Sequence, residues 1–138
     1  PFHDIDTKTQ LAIGSWYPLT KLHESTYLTQ NFTTPGIIVT NVHLDVKYPY
    51  TAFSRSLLPI LKQFRSSRTI VAGDFNTSEA QLWMNAVRPD LLHRSSGATC
   101  WANTEIDFIF TNCPIQKSFV APVTVSDHLP VVYDINPL

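Results

Sequence analysis

The chain has 138 residues, of which 43% are hydrophobic and 15% charged, and its formal net charge is −1. This length and composition predict one globular domain with a real core, and no apolar run is long enough to span a bilayer. The near-neutral charge weighs against a strongly basic surface for tight nucleic-acid binding, although it leaves open an enzyme that contacts nucleic acid briefly. Two cysteines are too few to indicate a disulfide framework or a zinc site.

The first third of the chain predicts strands separated by a turn. Leu11 to Tyr17 is apolar and aromatic, as expected of a strand. Leu22 to Gln30 alternates weakly and could pair with it. A turn is predicted over residues 31–36, which end in Pro-Gly. The continuous apolar run from Ile37 to Leu44 is the strongest strand signal, and it predicts burial on both faces.

A helix and a second buried strand follow. Apolar residues recur at helical spacing over residues 53–64, and Pro59 must either kink this helix or sit in its first turn. Thr69 to Asn76 begins as a β-branched strand and ends in Gly-Asp-Phe-Asn. Strand, helix and strand predict a right-handed parallel βαβ unit, which would bring His43 and Asp74 to one edge of the sheet.

The rest of the chain predicts one helix and three strands. Glu79 to Val87 reads as a short helix, and a loop follows it as far as Trp101. The predicted strands are Glu105 to Phe110, with Asp107 embedded in it, Phe119 to Val125 and Val131 to Ile135.

Asp74 lies where a strand ends and a loop begins, which is where ligands bind in open α/β sheets. In extended chain, Asp74 and Asn76 would point the same way and offer a charged acceptor and an amide. Taken alone, the pair is more often an Asx turn that caps a strand.

Polar residues beside strong strands form a group of four features: His43, the Asp74/Asn76 pair, Asp107 and the Asp127-His128 pair. Each has an ordinary structural interpretation: a strand histidine, an Asx turn, a buried carboxylate with a partner, and a turn before a proline. Their conjunction is much less easily explained by chance. Carboxylates and an amide can hold Mg²⁺ or orient a water, and a histidine with a carboxylate partner transfers protons near neutral pH. The group therefore predicts phosphoester hydrolysis, and Mg²⁺ is favoured over zinc.

Four motifs carry a family resemblance: Asn41-Val42-His43-Leu44, Gly73-Asp74-Phe75-Asn76, Ile106-Asp107-Phe108-Ile109-Phe110 and Ser126-Asp127-His128-Leu129-Pro130. In this order they resemble the endonuclease/exonuclease/phosphatase superfamily, which includes DNase I, AP endonucleases, sphingomyelinases and inositol-polyphosphate phosphatases. Residues 12–18 resemble the strand that precedes these motifs. The resemblance implies an α/β fold, a DNase I-like sandwich of β-sheets with outer helices, as a single domain over residues 1–138.

The resemblance also implies roles for these residues. Asp74 would orient or activate the attacking water, and Asn76 would contact the phosphate or the metal. His128, oriented by Asp107, would be the general base or a phosphate stabiliser. His43 would be a second histidine at the phosphate and a candidate general acid. AP endonucleases usually have a tyrosine where His43 stands, which favours a DNase-like, sphingomyelinase-like or phosphatase-like branch.

The implied cofactor is Mg²⁺, with Mn²⁺ as an alternative, and the implied ligands are Asp74, Asn76 and Asp127. Family members also have an N-terminal half that carries an asparagine and a metal-binding glutamate, and no stretch upstream of Leu11 can hold it. We therefore expect the domain to be partial, and a missing N-terminal half or a second chain to complete the site. Asp4, Asp6 and Glu24 are substitute ligands in principle, but solvated surface carboxylates are the default for them.

The sequence thus predicts a Mg²⁺-dependent phosphodiesterase, with a nuclease preferred and nucleic acid as the partner. One alternative is a phospholipid or inositol-phosphate phosphoesterase of the same fold, whose site should be bordered by exposed aromatics such as Tyr48, Tyr50 and Trp101. The other is a catalytically silent binding domain.

Overall fold

The computed structural model describes residues 2–7, 10–22, 28–95, 97–123 and 125–136. Its elements, in chain order, are β1 (Phe2–Asp6), β2 (Leu11–Ser15), β3 (Thr20–Lys21), β4 (Thr29–Thr34), β5 (Ile37–His43), α1 (Pro49–Ala52), a π-helical turn (Phe53–Leu57), α2 (Leu58–Gln63), β6 (Thr69–Asp74), α3 (Ala80–Val87), β7 (Asp107–Thr111), β8 (Ile115–Val120) and β9 (Val131–Ile135). Within these ranges, no helix is long and apolar enough to cross a membrane.

A five-stranded sheet in the order β3-β4-β5-β6-β7 forms the centre of the molecule. β5 and β6 are parallel and the other pairs are antiparallel, so the predicted βαβ unit is confirmed. The helices cover one face of this sheet, where Val42, Val71 and Phe110 pack in the main core with Leu61 and Met84. Burial of these apolar side chains is the main source of stability.

Two hairpins lie on the opposite face of the sheet. The β1–β2 hairpin is held by Asn41 of β5, whose Nδ2 donates to the carbonyl oxygen of Ala12 at 2.9 Å. The β8–β9 hairpin lies near β7, and Val131, Ala72 and Ile109 line a cavity of about 260 Å³. Helices on one face and hairpins on the other give the layered α/β arrangement that the sequence predicts.

The prediction that β5 is buried on both faces is wrong. Ile38, Thr40 and Val42 are buried, whereas Val39 and Asn41 between them are only half-buried and His43 is exposed. The alternation arises because the helices cover one face completely, while the hairpins cover the other only in part.

Several predicted boundaries and pairings also change. β2 pairs with β1 rather than with the segment from Leu22 to Gln30, of which residues 23–27 lie outside the described part of the chain. β4 runs through most of the predicted turn at residues 31–36, because it pairs along its length with β5. The strand predicted at Phe119 to Val125 occurs at β8 instead, and Asp107 begins β7 rather than lying within the strand.

Pro59 occupies the first turn of α2, which is one of the two places predicted for it. The helical segment is continuous from α1 through the π-helical turn into α2, and the Leu58 N–H donates to the Phe53 carbonyl oxygen. Pro59 has no N–H to donate the next bond of this register, and the π-helical turn ends just before it. The π-helical turn over Phe53–Leu57 precedes this proline and buries Phe53 and Leu57 in the core.

Gly73 allows β6 to lie close to β5. Its φ is +144°, and a Cβ atom at this position would overlap the backbone of Val42. We expect Gly73→Ala to lower the free energy of unfolding by roughly 2–4 kcal/mol, because backbone strain and overpacking act together. Urea denaturation of Gly73→Ala and of the wild type measures this change in unfolding free energy.

Gly14→Ala is the matched control, because a Cβ there would meet only the carbonyl oxygen of Phe2 at 4.0 Å. Its unfolding free energy should stay within about 0.5 kcal/mol of the wild type. Equal losses in the two variants would contradict the close approach at Gly73.

Candidate active site

Three neighbouring strands place polar side chains in one row. His43 ends β5, Asp74 ends β6 and Asp107 begins β7, and the register pairs His43 with Asp74 and Asp74 with Asp107. Paired residues project from the same face of a sheet, so the three side chains share the face that carries the hairpins. The predicted meeting of His43 and Asp74 at one edge is therefore confirmed.

Asp74 lies at the centre of this row, with its two oxygens used differently. Oδ1 accepts a hydrogen bond from the backbone N–H of Asn76 at 2.7 Å. Oδ2 lies 3.8 Å from Nε2 of His43 and 3.7 Å from Nε2 of His128. Burial raises the pKa of Asp74, and the nearby Asp107 carboxylate adds to this, against the lowering effect of the Asn76 N–H.

Asp107 and His128 form a close pair. Oδ2 of Asp107 lies 2.8 Å from Nδ1 of His128, which supplies the partner that a carboxylate in an apolar strand requires. Thr99 contacts the backbone next to both members of the pair. Its Oγ1 accepts the backbone N–H of Asp107, and its carbonyl oxygen accepts the backbone N–H of Leu129, the residue after His128. The hydrogen bond that the His128 ring donates to Asp107 raises the pKa of His128, and the charges of Asp107, Asp74 and Asp127 raise it further.

Asn76 is not in extended chain, so the expectation that it points the same way as Asp74 is wrong. Its φ is +51°, and its N–H closes an Asx turn on Asp74. Its Nδ2 donates to the carbonyl oxygen of Leu44 at 2.6 Å, while the Leu44 N–H donates to the Asp74 carbonyl oxygen. The Asx-turn interpretation is therefore correct, and the same turn fixes the carboxylate in the row.

The structure gathers some of the predicted site residues and leaves others at the rim. Ligand atoms of Asp74, Asp107 and His128 all lie within 4.8 Å of one another, a grouping that could hold a metal ion. His43 adjoins it through Asp74. Asp127 is outside this group: its side chain is exposed, and its Oδ1 accepts a hydrogen bond from the Ser126 hydroxyl.

The substitute ligands considered from the sequence do not join the cluster. Asp4 accepts a hydrogen bond from Gln30 at 2.9 Å and pairs with Lys21 at 3.5 Å. Asp6 ends β1 opposite Leu11 and is not part of the grouping. Glu24 lies outside the described residues.

An open cleft of about 380 Å³ leads to the cluster. Gln10, Leu11 and Asn41 line it beside the predicted site residues. No local pattern in the sequence predicts a role for Gln10, because its place at the cleft depends on how the β1–β2 hairpin packs. Asn41 belongs to the Asn41-Val42-His43-Leu44 motif, and its Nδ2 holds this hairpin by donating to the Ala12 carbonyl oxygen, while it also donates to Oε1 of Gln30 on β4.

The donor set fits part of a Mg²⁺ site. Mg²⁺ prefers oxygen ligands and is commonly held by one or two carboxylates, with waters and substrate phosphates completing the shell. Asp74 offers Oδ2, which no N–H of the described residues is shown to occupy, whereas Asp107 is already bonded to His128. Among the described residues, the cluster therefore supplies fewer free carboxylates than a dedicated protein cage would.

No family model and no curated protein matches the sequence. Solved structures do match the fold. The endonuclease domain of TRAS1, a telomere-specific non-LTR retrotransposon, superposes with a TM-score of 0.72 at 16% identity, over 90% of this chain and 70% of that one. The chain has the DNase I-like fold of the endonuclease/exonuclease/phosphatase proteins.

Two further structures with this fold support the assignment. The 3′ phosphatase NExo from Neisseria, bound to a product DNA hairpin, gives a TM-score of 0.63 at 16% identity, over 79% of this chain and 65% of that one. The catalytic domain of human Nocturnin with a bound sulfate anion gives 0.58 at 20% identity, over 86% and 56%. The chain spans between 49% and 70% of the length of these and similar structures.

Asp107→Asn should lower the pKa of His128 towards its ordinary value of 6.5, because it removes the hydrogen bond that raises this pKa most. A raised folded-state pKa stabilises the protein fully below 6.5, and this stabilisation is lost as the pH rises through the folded value. As the pH rises from 6.5 to the folded-state pKa of His128 in the wild type, the unfolding free energy of Asp107→Asn should therefore fall less than that of the wild type. NMR titration of the His128 imidazole measures the pKa directly.

Asp127→Asn is the control, because the charge of Asp127 makes the smallest of the contributions that raise the pKa of His128. Its effect on the His128 pKa should be smaller than that of Asp107→Asn. An unchanged pKa in Asp107→Asn would contradict the pairing.

Proposed function

We propose that this chain acts as a Mg²⁺-dependent phosphodiesterase that cleaves nucleic acid. The observation that carries the proposal is the position of Asp74 Oδ2 between the Nε2 atoms of His43 and His128, with Asp107 behind His128. Both separations exceed a direct hydrogen bond, so these atoms are available to a substrate in the cleft. One carboxylate and two imidazoles facing an open cleft suit in-line attack on a phosphate.

His128 is assigned the role of general base or phosphate stabiliser. Its Nδ1 donates to Asp107, so in the neutral imidazole Nε2 is the acceptor that faces the cleft. Asp107 holds this tautomer and ring orientation, as a carboxylate partner does in other histidine catalysts. Asp74, with Oδ1 fixed by the Asn76 N–H, directs Oδ2 towards the attacking water.

His43 is assigned to the leaving group. Its side chain is 52% exposed, compared with 17% for Asp74, so it lies at the solvent side of the row. A histidine on the outer side of the cleft can donate a proton to a departing oxygen that leaves towards solvent.

Mg²⁺ is proposed as the cofactor, with Asp74, the Asn76 side-chain oxygen and Asp127 as the protein ligands. The Asn76 amide nitrogen is occupied by the Leu44 carbonyl, which leaves the oxygen as its remaining polar atom. When bound, the ion neutralises phosphate charge and stabilises the leaving oxygen. We propose that the remaining ligands come from the substrate and from residues outside this cluster, in a second chain or another part of the protein.

This ligand shortage predicts weak binding of Mg²⁺ to the chain without substrate. Isothermal titration calorimetry should give no binding at micromolar affinity, because too few carboxylates converge to compete with hydration of the ion. Asp74→Asn serves as the reference for heats of dilution. Micromolar binding that Asp74→Asn abolishes would contradict the need for additional ligands.

Nucleic acid is the preferred substrate class. Among proteins with similar folds, the TRAS1 domain is an endonuclease and the Neisseria phosphatase was captured with a product DNA hairpin. Trp101 is 68% exposed, and its backbone N–H donates to the carbonyl oxygen of Asp127 at 3.0 Å. An exposed aromatic ring on the segment bonded to Asp127 can stack on a nucleobase without reading its identity.

Hydrolysis of a phospholipid or inositol phosphate is the second candidate, because exposed aromatics also suit a lipid surface. Tyr48 is 60% exposed on the loop that follows His43, with Lys47 over its ring. A panel of plasmid DNA, single-stranded oligonucleotides, sphingomyelin vesicles and inositol phosphates, assayed at millimolar Mg²⁺, separates the two classes.

His128→Ala should reduce Mg²⁺-dependent cleavage of the best substrate by about 100-fold or more, because it removes the proton-transfer group. Asp74→Asn should have a comparable effect. Initial rates at saturating substrate measure both, and chelation of the metal should abolish the wild-type rate.

His3→Ala and Asp134→Asn are the matched controls, since both residues are exposed and lie on β1 and β9 away from the cluster. Both variants should retain the wild-type rate. Wild-type rates in His128→Ala, or no hydrolysis of any substrate by the wild type, would favour the catalytically silent binding domain.

A further inference from the structure

His93 and Glu105 form a second histidine–carboxylate pair, in addition to His128 and Asp107. The side chain of His93 is only 6% exposed, and its Nε2 lies 3.4 Å from Oε1 of Glu105. The His93 ring packs against Phe108 and Phe110, with centroid separations of 5.2 Å to each. Ser95 donates to the other Glu105 oxygen at 2.7 Å. Neither His93 nor Glu105 has a part in the proposed chemistry.

The other ring nitrogen of His93 needs a partner. Nδ1 is buried and has no hydrogen-bond partner among the described residues. The Glu105 carboxylate beside Nε2 favours the tautomer that carries its proton on Nε2, which makes Nδ1 an acceptor. A buried acceptor with no donor is costly, and native proteins commonly satisfy such groups with an internal water.

A cavity of the right size adjoins His93. Its volume is about 10 Å³, close to the space that one water molecule requires. The polar residues that line it include His93, Thr99, Glu105 and Asp107. Asp107 thus lines this cavity and also the open cleft.

The hydrogen-bonding groups around the cavity are complementary to one water. Thr99 Oγ1 accepts the backbone N–H groups of Ile106 and Asp107 at 3.0 and 3.1 Å, so its own hydroxyl hydrogen is available to donate. Asp107 uses Oδ2 for His128, which leaves Oδ1 as an acceptor. A water could therefore accept from Thr99 and donate to both Asp107 and His93, giving the three bonds typical of buried water.

We propose that a buried water in this cavity joins His93 Nδ1 to the Asp107 carboxylate and so fixes the Asp107–His128 pair. His93 and Thr99 are positioning residues: they act through Asp107 and do not touch the substrate. Outer partners of this kind commonly set the orientation of a functional imidazole. The effect on catalysis rests on the proposed function, whereas the water and its bonds do not.

The first test is a crystal structure of the wild-type chain at a resolution that shows ordered water. We expect one water within hydrogen-bond distance of His93 Nδ1, Asp107 and Thr99 Oγ1. A cavity without ordered water, or a His93 side chain turned to another partner, would overturn the proposal.

The second test uses two replacements of His93. His93→Phe keeps a ring against Phe108 and Phe110 but removes the acceptor, whereas His93→Asn places an oxygen near the position of Nδ1. The readout is solvent exchange of the His128 Nδ1 proton by NMR. Exchange should rise several-fold in His93→Phe and stay near the wild-type rate in His93→Asn. Equal exchange in all three proteins would overturn the link to His128.

Kinetics separate this proposal from the proposed function. His93→Phe should lower kcat by about tenfold with KM unchanged, and His93→Asn should recover most of the loss. If the wild type hydrolyses nothing, the proposed function fails, while the crystal structure and proton exchange still decide the water bridge. A wild-type kcat in His93→Phe would show that the bridge has no catalytic consequence and would overturn the positioning role.

Discussion

The parallel pairing of β5 with β6 is the constraint on which the site depends. Their register sets His43 beside Asp74, and the antiparallel β7 then adds Asp107 to the same row. A shift of one residue would turn each side chain to the opposite face. Gly73 lets the two strands approach each other next to Asp74. The close packing of these strands therefore also sets the geometry of the site.

Asp74 shows that a structural motif and a functional group can be one residue. The Asx turn occupies Oδ1, and the hydrogen bonds that link Leu44, Asp74 and Asn76 tie the loops after β5 and β6 together. Oδ2 is then held towards both imidazoles without further support. The Asx turn at Asp74 and a chemical role for Asp74 are therefore compatible, because the turn orients the carboxylate.

Local patterns predicted much of this fold, and the remainder depends on packing between distant segments. The β5 strand, the helical segment before β6 and the α3 helix each reflect interactions over a few residues, and all three elements form where they are predicted. The burial of β5 and the π-helical turn depend on packing and are not predicted. The pairing of β2 with β1 is not predicted, because pairing of edge strands carries little local signal. The cluster of Asp74, Asp107 and His128 followed from strand ends and motifs, whereas burial of His93 arises only when residues 93–95 fold against β7.

The partly covered sheet face also affects how the protein behaves in concentrated solution. Apolar side chains such as Ile5 and Phe2 are exposed on the β1–β2 hairpin, and the net charge is only −1. Weak charge repulsion lets such surfaces approach one another near neutral pH. The exposed apolar side chains of the β1–β2 hairpin and the low net charge therefore favour self-association, and the Asn41 amide joins this hairpin to the strand that carries His43.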